Sequence, residues 1–116
     1  MNLLLDFVPN HVAPDNPWVK EHPEYFVRGS ADEANDFEGS VYACGGDPYF
    51  PAWPDVLQLN AFQPGLRQAV IETVLSIANQ CDGIRCDMAM LLLNPIFERT
   101  WGSRTGQRPP TEYWTM

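Results

Sequence analysis

Five polar residues stand within or at the ends of two short hydrophobic segments. Asp6, Asn10 and His11 belong to the run Leu3-Leu4-Leu5-Asp6-Phe7-Val8-Pro9-Asn10-His11, and Arg85 and Asp87 to Gly83-Ile84-Arg85-Cys86-Asp87. Along a strand, side chains two apart share a face. Asp6, Val8 and Asn10 therefore align on one side of the first segment, with His11 directly after, and Arg85 and Asp87 align on one side of the second. Charges inside buried strands need partners, because a lone buried charge is costly. Two adjacent parallel strands supply them: Arg85 can pair with Asp6 and favour the charged form of Asp87. Asn10, His11 and Asp87 then meet at the carboxyl rim of the strands, where open sheets and barrels collect ligands and chemistry. For Asp6 a structural ion pair explains the pattern equally well. A charged Asp87 at a strand end is not explained by packing.

The elements that must position these residues follow from hydrophobic patterning. Residues 3–8 are short, nearly all apolar and stopped by Pro9, as expected of a strand buried on both faces in a parallel sheet. Between Pro64 and about Gln80, Leu66, Val70, Val74, Ile77 and Ala78 recur at helical spacing, and Pro64 suits a first helical turn. Gly83 to Met88 predicts a second strand. Asn94 then resembles an N-cap and Pro95 a first helical residue, with a short helix over Ile96 to Trp101. The tail from Gly102, with Pro109 and Pro110, is expected to be loose. Parallel strands joined through a helix form a right-handed crossover, the unit of α/β folds. Two such strands do not complete a sheet, since both faces and both edges need covering. The alternative is a small two-layer domain closed by the residues between strand and helix.

Those intervening residues differ in character. Eight of the 11 prolines lie between Pro9 and Pro64, and nine of the 14 aromatic residues between Trp18 and Phe62. This stretch predicts an irregular, aromatic-rich excursion. Its Trp18, Tyr25, Phe26, Tyr49, Phe50 and Trp53 can pack a small core or stack on sugar rings, and packing is the expectation for any one of them. His22, between Glu21 and Pro23, is a surface residue, and His11 with His22 lacks a third ligand for zinc.

Composition narrows the partners. In 116 residues, 7 Lys plus Arg face 15 Asp plus Glu for a formal charge of −8, which argues against nucleic acid or an anionic membrane. The longest apolar run, Met88 to Leu93, is far shorter than the roughly 20 residues a membrane span needs. No basic residue precedes Leu3, so no signal peptide is predicted. Cys44, Cys81 and Cys86 lack metal-ligand spacing and fit reduced cysteines of a cytoplasmic protein.

Asp6-Phe7-Val8-Pro9-Asn10-His11 matches the Asp-x-Val-x-Asn-His motif of the α-amylase family of glycoside hydrolases. Gly83-Ile84-Arg85-Cys86-Asp87 resembles that family's Gly-x-Arg-x-Asp motif, and Gln58-Leu59-Asn60 a third, weaker signature. The resemblance covers roughly residues 1–101. It implies part of a (β/α)8 TIM barrel: strand three with its motif over residues 1–11, an inserted subdomain over 12–56, helix, strand four and a following helix over 57–101, and the loose tail over 102–116. It further implies Asp87 as the nucleophile, Arg85 as its ionisation partner, Asp6 orienting Arg85, and His11 donating to a sugar hydroxyl. In many relatives the Asn10 position ligates calcium with ligands from the inserted domain, which find no match here. Met88, Ala89, Met90 and Leu91 replace the polar pair that often follows the nucleophile. No glutamate stands where the family's acid/base residue would; Glu98 falls in the following helix.

The expected activity is that of a fragment of a retaining hydrolase or transglycosylase acting on an α-glucan or oligosaccharide, inactive alone and prone to self-association through uncovered strand edges. The rival from a different class is a non-catalytic carbohydrate-binding or degenerate structural remnant of the same barrel. A nucleotide-binding domain is disfavoured, since no G-x-G-x-x-G or phosphate loop is present.

Overall fold

In the computed structural model, which describes residues 1–29, 34–37 and 40–115, the chain runs β1 (Leu4–Phe7), β2 (His11–Val12), α1 (Trp18–Glu21), β3 (Ala34–Phe37), β4 (Ser40–Gly45), β5 (Trp53–Gln58), α2 (Pro64–Ala78), β6 (Gly83–Cys86) and α3 (Asn94–Trp101). Short 3-10 turns lie at Pro23–Tyr25, Ala89–Leu92, Gly102–Arg104 and Tyr113–Thr115. Among the described residues the strands form two small sheets: β1 pairs with β6, and the order β2-β5-β4-β3 makes a four-stranded sheet.

β1 and β6 are parallel, in the register Leu4↔Gly83, Leu5↔Ile84, Asp6↔Arg85 and Phe7↔Cys86. The helix α2 connects the two sheets' ends and returns the chain to β1, as the crossover reading requires. Burial departs from expectation. Leu3 and Leu4 are 49% and 70% exposed, and Val8 is also exposed. The hydrophobic composition of β1 anticipates cover on both faces, but among the described residues β1 has one neighbouring strand and part of its surface faces solvent. A partial TIM barrel is accordingly not what these strands establish. They establish a small mixed α/β unit with one parallel pair and one antiparallel sheet.

The excursion is also more regular than its prolines suggest. Residues 12–56 contain β3, β4 and most of β5, although residues 30–33 and 38–39 lie outside the described residues. β4 and β5 pair antiparallel, with a register shift between Cys44 and Gly45. Pro54 sits on β5 opposite this irregularity, where a missing ladder donor is tolerated. Side chains from the excursion share one core with the helical half of the chain: Phe26, Val27, Tyr42 and Ala43 join Leu66, Val70, Leu92 and Phe97. Phe62 and Phe97 meet edge to face at 4.9 Å. The compositional boundary near Pro64 is therefore not a packing boundary.

α2 begins at Pro64, as the sequence indicates, and the Gln63 side chain caps it by accepting from the Gly65 N–H at 2.6 Å. Leu66 and Val70 are buried, Val74 and Ile77 half-buried, and Ala78 exposed, so the apolar face is covered mainly over its first half. Asn94 is not the N-cap of α3; it is the first helical residue, and its side chain turns inward. There it accepts from Arg67 Nη2 at 2.9 Å and donates to the Pro109 and Thr111 carbonyls at 3.1 and 3.2 Å. Arg67, itself buried, also donates to the Ala61 carbonyl from Nε at 2.6 Å and to the Thr111 carbonyl from Nη1 at 2.7 Å. Its guanidinium lies 5.5 Å over the ring of the fully buried Tyr113. The Glu112 carboxylate accepts from the Asn94 and Tyr113 N–H groups.

These contacts overturn the loose tail. Residues 109–114 are held because Arg67, on a buried helix face, needs acceptors that the core cannot supply. Burial pulls the Arg67 pKa below its ordinary value, and the nearby Glu112 carboxylate opposes the shift. Arg67→Met should therefore destabilise the chain by about 3 kcal/mol in urea unfolding, by leaving buried carbonyls without donors. Arg67→Lys should rescue little of this, because an ammonium cannot reproduce the planar fork that reaches three separate acceptors.

Candidate functional site

The parallel register places Asp6 beside Arg85, and Arg85 bridges two carboxylates. Its Nη1 lies 3.5 Å from Asp6 Oδ2, and its Nη2 donates to Asp87 Oδ1 at 3.2 Å. The juxtaposition matches the strand reading, but the burial does not: the Asp6, Arg85 and Asp87 side chains are 67%, 62% and 38% exposed. Water screens such pairs, so each contributes about 0–1 kcal/mol rather than the several expected of a buried pair. Asp87 itself is fixed by backbone: its N–H donates to the Phe7 carbonyl at 2.9 Å, carrying the ladder one residue past β6. The next residue, Met88, sits at φ 56°, ψ 32°. A non-glycine residue in this left-handed region costs about 1 kcal/mol. That turn ends the strand and aims the chain away immediately after the carboxylate.

Asn10 and Gln58 hold the other half of the rim. Both are fully buried. Gln58 Nε2 donates to Asn10 Oδ1 and to the Asn10 carbonyl, each at 3.0 Å, while Gln58 Oε1 accepts from Asn10 Nδ2 at 3.3 Å and from the Gly46 N–H at 3.1 Å. Asn10 is the position that the resemblance links to calcium. Its carboxamide oxygen is already engaged by Gln58, and among the described residues no group of three acidic, histidine or cysteine side chains is placed to complete a cation site. Asn60, the last residue of the weaker signature, accepts from the Phe62 N–H at 3.0 Å ahead of α2 and donates from Nδ2 to the Thr105 carbonyl at 3.4 Å.

His11 pairs with Gln58 across β2 and β5. Its ring meets Trp53 edge to face, with centroids 5.4 Å apart, and its Nδ1 lies 3.4 Å from Asn10 Nδ2. Burial lowers the His11 pKa, and the carboxylates of Asp55 and Asp87 partly oppose that shift. Asp87 and His11 thus feel one another across the rim. Asp55, whose charge bears on His11, is an addition that the sequence reading did not name, and Trp53, named there for packing or sugar stacking, sets its ring against His11. The signal that could have found them is the pairing of β5 with β2, which no local pattern announces. His22 is a surface residue as anticipated, bonded to Glu24 at 3.1 Å and stacked on Tyr25.

Chemically, the rim offers one carboxylate held by a guanidinium and a neutral imidazole beside it. Asp6 is committed to Arg85, and Glu98 lies in α3 with its carboxylate 3.7 Å from Arg108.

Neither a family model nor a curated protein sequence matches the chain. Solved structures do. The chain is 33% identical to an alpha-amylase from Lactobacillus plantarum, with a TM-score of 0.60 over 84% of this chain and 20% of that one. It is 28% identical to the maltogenic alpha-amylase AmyB from Thermotoga neapolitana, with a TM-score of 0.57 over 89% of this chain and 22% of that one. The chain spans about a fifth of the length of either enzyme. It is therefore a mixed α/β unit folded like part of an amylase.

The electrostatics of His11 carry a pH consequence. Its folded-state pKa lies below the ordinary 6.5, so the unfolded chain binds the proton more tightly. Stability contributed by this residue is full above 6.5 and falls as pH drops from there through the folded value. An NMR titration should place the His11 midpoint below 6.5, and Asp55→Asn should lower it further by removing one opposing charge. His11→Gln should flatten the loss of stability in that interval.

Proposed function

We propose that the chain is a segment of a retaining α-glucan-active enzyme of the α-amylase kind, contributing barrel strands three and four to a larger (β/α)8 catalytic domain. The observation that carries this reading is Arg85 spanning Asp6 and Asp87 across adjacent parallel strands, with His11 at the same rim. Asp87 is the nucleophile, attacking the anomeric carbon to form a glycosyl-enzyme ester that water or a second sugar then resolves. Arg85 holds that carboxylate in place through its Nη2, Asp6 orients Arg85, and His11, whose cation burial disfavours, donates a hydrogen bond to a sugar hydroxyl. The substrate is an α-glucan or α-linked oligosaccharide.

A retaining site needs a second carboxyl about 5–5.5 Å from the first, to protonate the leaving oxygen. No glutamate of this chain stands where the family's acid/base residue would, so the acid comes from the rest of the parent barrel and the 116 residues alone are expected not to turn over substrate. The exposure of Asp6 and Arg85 favours a second reading, a non-catalytic remnant of the same barrel whose rim lacks the enclosure that catalysis uses. Among the described residues no helix is long and apolar enough to cross a membrane.

The deciding experiment is kinetics on the protein encoded by the longer reading frame, with mass spectrometry after a 2-deoxy-2-fluoro glycosyl trap. Asp87→Asn should lower turnover by several orders of magnitude with substrate binding and folding largely kept, and the label should sit on Asp87. A label elsewhere, or near-normal turnover in the variant, overturns the nucleophile assignment, and a parent protein with neither turnover nor label selects the remnant reading. A second outcome concerns the bare segment. The exposed Leu3 and Leu4 beside an unpaired strand edge should drive it to self-associate, and Leu4→Glu should shift sedimentation toward the monomer.

A further inference from the structure

An amide side chain has a donating end and an accepting end, and the main-chain groups around it decide which end faces which way. Around Gln58 three stretches of backbone make that decision. The Gly46 N–H can only donate, and Gln58 Oε1 accepts from it at 3.1 Å. The Asn10 and Leu59 carbonyls can only accept, and Gln58 Nε2 donates to them at 3.0 and 3.2 Å. The reverse orientation would set donor against donor at Gly46 and acceptor against acceptor at both carbonyls. Gln58 is fully buried, so water does not relieve such a conflict.

Gln58 passes that constraint on. Its Nε2 also reaches Asn10 Oδ1 at 3.0 Å, and its Oε1 accepts from Asn10 Nδ2 at 3.3 Å. Asn10, fully buried as well, therefore keeps its oxygen on Gln58 and has a second Nδ2 hydrogen to spare. That nitrogen lies 3.4 Å from His11 Nδ1. An amide nitrogen only donates, so the contact is a hydrogen bond when Nδ1 accepts. A neutral imidazole that accepts at Nδ1 carries its proton on Nε2. The ring plane has a separate support, since Trp53 meets it edge to face.

We propose that Gln58 is a positioning residue for His11: held by the backbone of Gly46 and Leu59 and acting through Asn10, it sets the imidazole as the Nε2–H tautomer, with Nε2 as the donor toward a sugar hydroxyl. The sugar contact rests on the proposed function; the relay from Gly46 to His11 does not. Three oxygens converge on a Gln58 Nε2 that has two hydrogens, an acceptor-rich place that a cation could also hold. Here the Gln58 amide holds it, and an amide nitrogen is no calcium ligand, so the relay works without metal. Its consequence is directional. In the other tautomer Nδ1 would aim its proton at the Asn10 NH2 group, and Nε2 would offer a lone pair in place of a donor. A fully buried side chain thus decides whether the half-buried ring donates or accepts.

The test is isotope-edited NMR of the His11 ring nitrogens in the 116-residue chain, at about pH 8 where the imidazole is neutral. Nδ1 should appear unprotonated and Nε2 protonated, with the Asn10 side-chain hydrogens protected from exchange. Gln58→Glu keeps an acceptor for Gly46 but loses the donor for Asn10. Asn10 should then turn over, present its oxygen to His11 and move the ring to the Nδ1–H tautomer. Gln58→Met removes both ends, and the ratio of Nε2–H to Nδ1–H should fall about fivefold, the worth of one hydrogen bond. Thermal melting identifies folded variants; if the buried carboxylate of Gln58→Glu prevents folding, Gln58→Met and the unsubstituted chain decide. Calcium chloride and EDTA should leave the His11 and Asn10 signals unchanged. An Nδ1–H ring in the unsubstituted chain, an unchanged tautomer ratio in a folded variant, or a switch driven by calcium overturns the relay. The glycosyl trap keeps the two readings apart: a label away from Asp87 with the tautomer held removes the nucleophile assignment alone, whereas a label on Asp87 with the wrong tautomer removes the relay alone.

Discussion

The buried amide pair of Asn10 and Gln58 is the constraint on which the rim depends. Two carboxamides with no solvent access must satisfy one another or leave donors and acceptors orphaned, at about 1–3 kcal/mol for each. Here nearly every valence is used: Gln58 Oε1 takes Asn10 Nδ2 and the Gly46 N–H, and Gln58 Nε2 reaches Asn10 Oδ1 and two backbone carbonyls. The consequence is positional. Asn10 stands on the link from β1 to β2, Gln58 ends β5 and Gly46 follows β4, so one buried cluster ties the parallel pair to the antiparallel sheet. His11 inherits its place from that tie. A polar group that must be satisfied specifies geometry more tightly than an apolar contact of equal area, because only one arrangement meets all its bonds.

A second buried polar centre does the same work on the far side of the core. Arg67 joins the approach to α2, the start of α3 and residues 109–114 through three acceptors that belong to three different stretches of chain. Trp114 adds a bond from Nε1 to the Ala89 carbonyl at 2.8 Å, two residues beyond Asp87. The turn that leaves Asp87 is therefore bounded on both sides: by the left-handed Met88 at its start and by the docked tail over Ala89–Leu92. Strain at Met88 persists because these contacts over-determine the path, as is common next to functional groups.

The parts legible in the sequence are those fixed by local rules. Pro64 announces α2, short strand-like segments announce β1 and β6, and residue alternation sets Arg85 and Asp87 on one face. The rest depends on partners far away in the chain. β4 and β5 are laid down among prolines and glycines, and only their mutual pairing and a register shift that accommodates Pro54 make them strands. Asn94 carries the composition of an N-cap, yet Arg67, 27 residues earlier, captures its side chain. The tail is proline-rich and polar, and it is ordered by the need of one buried guanidinium. Asp55 bears on His11 because β5 pairs with β2, which joins His11 to Gln58. Tertiary context overrode local propensity wherever a buried polar group required a distant partner.

Exposure, finally, sets what the rim can do. Arg85 acts on Asp87 through a medium that is largely water, where two unit charges 4 Å apart interact by only about 1 kcal/mol, against roughly 4 kcal/mol at the effective dielectric of a protein surface cleft. The same atoms under cover would hold the carboxylate far more firmly in its charged form and would strip it of the water that blunts a nucleophile. His11 shows the trend within this one rim, since partial burial alone outweighs two nearby carboxylates and keeps its imidazole neutral. The hydrophobic composition of β1, with Leu3 and Leu4 open to solvent, is the complementary half of that argument. A strand with apolar residues on both faces is suited to being covered on both, and the cover that would bury those leucines would also close the dielectric around Arg85 and Asp87. The open apolar surface and the weak ion pairs thus have one physical cause, and a single enclosing layer would remedy both.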